Sequence, residues 1–145
     1  MPSMLQVLAS KGSQVWSISP DATVFAGLTL MADKNIGAVI VMQDETVVGI
    51  LSERDYARKI VLLQRSSKEV PVRDIMMSPV MFVRPDQTSE ECMVLMTEKR
   101  LRHLPVMEKG SLVGLVSIGD LVKDIISEQK LVIEQLEHYI AGTPA

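Results

Sequence analysis

The apolar positions of this chain come in short blocks whose period keeps changing. Residues 16–18 make a brief apolar step that runs into Pro20-Asp21-Ala22-Thr23. Pro and Asp favour a turn there, and Thr23 suits the cap of a following helix. Leu28, Met31 and Ala32 then recur at helical spacing, which predicts that they are the buried face of that helix. An apolar run at 38–42, a polar turn Gln43-Asp44-Glu45 and a second apolar run at 47–51 read as a hairpin. Ser52 opens a second helix. The same order returns with a strand at 81–83, Met93, Leu95 and Met96 on a helix, runs at 104–107 and 112–116 around Glu108-Lys109-Gly110, and a helix from Ser117.

The recurrence is a repeat in the strict sense. Residues 15–60 lie over 80–125 at a constant offset of 65 without a gap, and 14 of the 46 pairs are identical. Chance alone gives about three, so the chain is two copies of one strand-helix-strand-strand-helix unit. The pattern divides the chain into an N-terminal helical segment (1–14), a first unit (15–63), a linker (64–79), a second unit (80–127) and a C-terminal extension and tail (128–145). A short helix is expected at 4–9, ended by Gly12, and one helical turn at 72–76. Residues 121–140 read as one long helix, with Ile125, Ile126, Val132, Ile133, Leu136 and Ile140 at steps of three and four. That stripe is long for one small unit to cover, so it packs either against another subunit or on its own domain.

Composition narrows the chemistry. At 145 residues, 47% hydrophobic and 23% charged, the chain suits one domain-sized core. Aromatics are only 3%, so that core must rest on Val, Ile, Leu and Met, and the ten Met residues read as core filling rather than a partner surface. A formal charge of −3 argues against a protein that coats nucleic acid, which needs a basic face. The single Cys92, on a helix, is expected to be a small core residue rather than a reactive thiol. No apolar run approaches the roughly 18 residues of a membrane span, and the first residues lack the pattern of a secretory signal. The expectation is a soluble, cytoplasmic protein.

The chemistry is concentrated in one phrase written twice: Gly49-Ile-Leu-Ser-Glu-Arg-Asp55 and Gly114-Leu-Val-Ser-Ile-Gly-Asp120. Ser followed three residues later by an acid, where a strand becomes a helix, is a capping-box pattern, and on local grounds the phrase is explained as a structural joint. The same geometry also suits a ligand. Free amides at a helix N-terminus favour phosphate, the hydroxyl adds a donor, and a carboxylate one turn in accepts both hydroxyls of a ribose. The neighbouring Val/Ile strands offer an apolar slot for an adenine ring. Trp16 either walls such a slot or packs as a half-buried core residue. Lys34 and Lys99 each end a helix, where a cation is favoured anyway.

The doubled unit, each copy closing with Gly, two apolar residues, Ser, two variable residues and Asp, resembles a tandem pair of CBS domains, the arrangement called a Bateman module. Leu101-Arg-His-Leu-Pro-Val106 before the second hairpin matches the same pattern. The resemblance covers roughly residues 13–130. It implies an α/β (α+β) fold of two βαββα units related by a pseudo-twofold axis, with a short N-terminal and a long C-terminal helix. It further implies two clefts for an adenosine ligand: AMP, ADP, ATP, NAD(H) or S-adenosylmethionine. One cleft pairs Ser52 and Asp55, with Arg54 beside them, with Arg102, His103 and Pro105. The other pairs Ser117 and Asp120 with Gly37, Ala38 and the turn from Ile18 to Asp21. Because Arg102 and His103 suit phosphate and Gly37, Ala38 and Gly119 do not, the Asp55 cleft is expected to bind a phosphorylated nucleotide more tightly than the Asp120 cleft.

The sequence shows no His/Cys metal cluster, no Walker loop and no Gly-x-Gly-x-x-Gly, and Ser52 and Ser117 have no evident base. Catalysis is therefore not expected. The leading reading is a regulatory adenine-nucleotide sensor that requires no cofactor for chemistry and acts on a partner protein or through its own homodimer, without nucleic acid or membrane. The alternative is a ligand-free structural or protein-interaction module.

Overall fold

The computed structural model describes residues 2–142. In chain order its elements are α1 (Met4–Lys11), β1 (Ser17–Ile18), α2 (Val24–Lys34), β2 (Ala38–Gln43), β3 (Thr46–Ser52), α3 (Glu53–Tyr56), α4 (Ser89–Lys99), β4 (His103–Glu108), β5 (Ser111–Ser117) and α5 (Ile118–Ile140). The tail expected to follow the last helix ends in residues 143–145, which lie outside the described residues.

Local chemistry starts and stops these elements in the same way in both copies. Thr23 and Thr88 accept from the amides of Ala26 and Glu91, each at 3.1 Å, and so cap α2 and α4. Both helices end on a residue in the left-handed region, Asn35 at φ 54° and Arg100 at φ 55°. The next amide then returns to the last turn, Ile36 to Met31 and Leu101 to Met96. Each hairpin closes through a two-residue turn whose first member has positive φ, Asp44 (57°) and Lys109 (50°). In α2 the inward residues are Val24, Gly27 and Met31, with Leu28 half-buried. Ala32, expected in the core, is exposed because one further residue rotates it about 100° away from Met31.

Two compact units result. One comprises Gln14–Phe82 with Gly110–Leu112; the other comprises the residues up to Ser13, Val83–Lys109 and Val113 onward. In the first, β1 runs parallel to β2 and β2 antiparallel to β3. In the second, β4 and β5 pair, and the strand expected at 81–83 is reduced to a single parallel bridge from Val83 to Val106. The helix expected after Ser52 is one α-turn followed by a wider π-helical turn, Ala57–Val61, with the Leu62 amide bonding the Ala57 carbonyl. Val72–Asp74 forms the expected single turn, here of 3-10 type.

The segments at the unit boundaries carry an equivalence hidden from the 65-residue alignment. The amides of Val72 and Arg73 donate to the carbonyls of Ala22 and Pro20, and Ser89, the counterpart of Val24, bonds Pro2 as Val24 bonds Val70. In the second unit Met4 and Leu5 donate to Gln87 and Pro85, the counterparts of Ala22 and Pro20. Residues 70–77 therefore do for the first unit what the start of the chain does for the second, in a register three residues longer than the rest of the repeat. Val72 and Met4 are both fully buried, as are Ile75 and Val7 within a percent. Met76 and Leu8 press on the strand glycines: a Cβ on Gly49 would lie 2.5 Å from the Met76 sulfur, and one on Gly114 would lie 2.6 Å from a Leu8 methyl. These glycines are required by close approach, not by backbone angle.

It follows that α1 is core rather than decoration. Met4→Ala should lower the unfolding free energy by about 2–5 kcal/mol, whereas Leu5→Ala, one residue on but exposed, should change it by about 0.5 kcal/mol or less. Urea denaturation of the two variants checks this; equal small losses would remove α1 from the core.

Candidate functional site

Ser52 and Ser117 sit where a strand ends in extended backbone and a helix begins, at φ −123° and −106°. Both complete a reciprocal capping box. Asp55 Oδ2 accepts from the Ser52 amide at 3.0 Å and from its hydroxyl at 2.9 Å, while the Asp55 amide donates to Ser52 Oγ at 3.2 Å. Asp120 Oδ2 accepts from the Ser117 amide at 2.8 Å, and the Asp120 amide donates to Ser117 Oγ at 3.2 Å. The structural reading of the repeated phrase is thus correct in full. The boxes also fix each carboxylate at the head of its helix, with Asp55 buried and Asp120 half-buried.

The residue before each central strand is tied to the same place. The Glu53 amide donates to the Gly37 carbonyl at 3.1 Å, and the Ile118 amide donates to the Arg102 carbonyl at 2.9 Å. Ala38 pairs with Ser52 across the hairpin. Within the first unit the structure therefore groups Gly37, Ala38, Ser52 and Asp55. Within the second it groups Arg102, His103, Ser117 and Asp120. The groupings implied by the resemblance, Arg102, His103 and Pro105 with Asp55, and Gly37 and Ala38 with Asp120, each draw on both units. Pro105 is buried, and its carbonyl accepts from Val83. Asp21 is exposed and ion-paired to Arg73, and half-buried Ile18 packs on the core of its own unit. Arg54 is half-buried. Trp16 is half-buried against the same core, and the Lys34 ammonium lies 4.2 Å from its ring centre.

Each carboxylate also meets a lysine that the sequence reading did not single out. Lys59 Nζ stands 3.6 Å from Asp55 Oδ1 and donates to the Ile75 carbonyl at 2.9 Å. Its i,i+4 spacing from Asp55 was the available signal. Lys11 Nζ stands 2.5 Å from Asp120 Oδ2 and donates to the Leu115 carbonyl at 2.8 Å. No spacing rule links positions more than a hundred residues apart.

The electrostatics of the second group follow. Burial raises the Asp120 carboxyl, but the hydrogen bonds from Lys11 and Ser117 outweigh it and hold the group below its ordinary value of 3.8. Burial lowers His103 from its ordinary 6.5; the charges of Lys11 and Arg102 lower it further, against an opposing pull from Asp120. His103 is therefore biased toward the neutral imidazole. Burial, then Glu91, pushes the Cys92 thiol up to about 11, which makes it a core residue and a poor nucleophile. Among the described residues no group of three His, Cys, Asp or Glu is placed to hold a metal ion, and no helix is long and apolar enough to cross a membrane.

Comparison with known proteins finds the same doubling. The CBS domain family model matches residues 11–62 and 72–127. The chain is 37% identical over 139 residues to the CBS domain-containing protein CBSX3, mitochondrial, of Arabidopsis thaliana, covering 92% of this chain and 67% of that protein. A solved structure of a protein with CBS domains from Burkholderia ambifaria superposes with a TM-score of 0.84 at 46% identity, covering 88% of this chain and 96% of the other. A hexameric CBS-CP12 protein from bloom-forming cyanobacteria superposes with a TM-score of 0.70 at 28% identity, covering 76% and 65%.

The two shifted groups predict how stability depends on pH. The Asp120 contribution is present above its unfolded value of 3.8 and is lost as pH falls below it, through the depressed folded value. His103 acts in a higher window: below 6.5 the unfolded chain takes up the proton first, so stability declines from there as the solution is acidified. Urea denaturation across this range should show both limbs. His103→Gln should flatten the upper one and leave the lower.

Proposed function

The chain belongs to the CBS domain family as a tandem pair, and on that premise we propose that its two Ser–Asp cradles bind an adenosine nucleotide as a regulatory ligand. The observation that carries this is the doubled cradle itself. In each, a helix N-terminus, a hydroxyl and a fixed carboxylate are presented together beside the first residue of a central strand. A carboxylate accepts both hydroxyls of a ribose, and a guanidinium suits its phosphate. Ser52, Arg54 and Asp55 form one ribose site and Ser117 and Asp120 the other. The family resemblance is what assigns Arg102, His103 and Pro105 to the ligand of Asp55, and Gly37, Ala38, Ile18 and Asp21 to that of Asp120. The ligand is AMP, ADP, ATP or NAD(H), and the Asp55 site is the tighter of the two. No group in either cradle is arranged as an activated nucleophile, so the function is regulatory rather than catalytic, with output to a partner protein.

Thermal unfolding against these nucleotides and S-adenosylmethionine tests the reading. A ligand at one hundred times its dissociation constant should add about 2.7 kcal/mol of stability. Asp55→Asn should abolish the tighter of two titration phases. No shift with any nucleotide would leave the ligand-free interaction module as the function.

We further infer that the module works as a homodimer through α5. Leu131, Val132, Ile133, Leu136 and Ile140 are all at least 48% exposed, an apolar stripe larger than scattered surface residues require. The described residues of its own unit leave that stripe uncovered, which favours a second copy over packing on its own domain. Sedimentation of a Leu136→Glu variant should show a shift toward monomer with the helix content kept; an unchanged mass would place the interface elsewhere.

A further inference from the structure

The two motif carboxylates share the Gly-x-x-Ser-x-x-Asp frame but not the cation they hold. In the first unit the cation belongs to the same helical run: Lys59 lies one turn beyond Asp55, at 3.6 Å from Oδ1. The matching position in the second unit is Asp124. There the cation comes instead from the far end of the chain, on Lys11, the last residue of α1, and it sits on Oδ2 at 2.5 Å.

The backbone explains why Lys11 is there. In the first unit the Ile50 carbonyl accepts from the Met77 amide at 2.9 Å. Leu115 is the counterpart of Ile50, but the segment passing it is α-helical through Lys11, so its amides are committed to the helix. The Lys11 ammonium takes the place of the missing amide at the Leu115 carbonyl and, from there, reaches Asp120. Asp120 Oδ2 already accepts from the Ser117 amide, so the ammonium completes that oxygen.

Resting on the nucleotide reading above, we propose that Lys11 is a specificity-determining residue of the Asp120 site, an internal competitor that a ribose diol must displace. A diol needs both carboxylate oxygens, and Lys11 occupies one of them. Displacement does not require α1 to move. Met4, Val7 and Leu8 hold that helix in the core, whereas Lys11 is exposed and is followed at once by Gly12 at φ 99°. Only a side chain swings. The pair is partly exposed, with side chains 34% and 23% accessible, so the barrier it adds is of surface-pair size, a few-fold in affinity. At Asp55 the second donor on Oδ2 is the Ser52 hydroxyl at 2.9 Å, with Lys59 3.6 Å from Oδ1, so what a diol must displace there is a neutral group of the cap itself rather than a cation from another helix.

The probe is adenosine, which has the diol and no phosphate to re-engage the ammonium. Calorimetric titration is run on Asp55→Asn, so that only the Asp120 site reports, with and without Lys11→Met. Lys11→Gln serves as a second variant that keeps a donor for the Leu115 carbonyl and removes the charge. Both variants should bind adenosine about three- to fivefold more tightly than their background. In ligand-free protein, carbon NMR should show the Asp120 carboxyl titrating at higher pH in both. Unchanged or weaker adenosine binding, with the Asp120 titration moved, overturns the competitor while leaving the nucleotide reading intact. An Asp120 titration that does not move also overturns it. If no adenosine or AMP binds to wild type or any variant, the nucleotide reading itself fails and the competitor with it.

Discussion

Everything in each unit depends on covering one strand with a segment borrowed from outside the repeat. The second hairpin strand carries a glycine, Gly49 or Gly114, because a side chain from that segment must lie where a Cβ would be. Met76 fills the place in one unit and Leu8 in the other. Once the segment is seated, Val72 or Met4 closes the core and the cap turn at Pro20 or Pro85 gains its backbone partners. The strand then ends at a fixed point, and the serine that follows it can cap a helix. The carboxylates thus follow directly on a strand that this apolar packing holds in place.

Much of this was legible from residues. The 65-residue offset located both hairpins, both threonine-capped helices and both Ser–Asp boxes, because turn chemistry and capping act over three or four residues and leave local signals. The borrowed segments were not legible. Only Ser10 and Ser78 are identical in their shared register, which is displaced by three residues from that of the repeat. What the two segments have in common is volume and depth, not identity. Ala32 misled for a related reason: spacing alone allows a face one residue wider than the one that packs. The π-helical turn after Tyr56 has no pattern in the sequence that sets it apart from α-helix.

The candidate site shows the same division. Ser52, Asp55, Ser117 and Asp120 are found by their spacing, and their hydrogen bonds are those a capping box dictates. Their electrostatic partners are found differently. Lys59 follows from helical periodicity, but Lys11 meets Asp120 only because α1 presents no amide to the Leu115 carbonyl. An unmet backbone acceptor recruited a charge, and the charge then changed the carboxylate beside it. A duplicated motif is in this way made unequal by a difference in secondary structure outside the motif.

The division of the chain into units also bears on how it is made. Apart from 110–112, the first unit is one continuous stretch, Gln14–Phe82. The second is split, its opening helix emerging about a hundred residues before the strand it must cover. During synthesis from the N-terminus the first unit has its core residues almost as soon as it leaves the ribosome, while α1 waits with Met4, Val7 and Leu8 unsatisfied. The first unit is an insertion within the second, and α1 carries the contacts of the second unit that reach farthest along the chain.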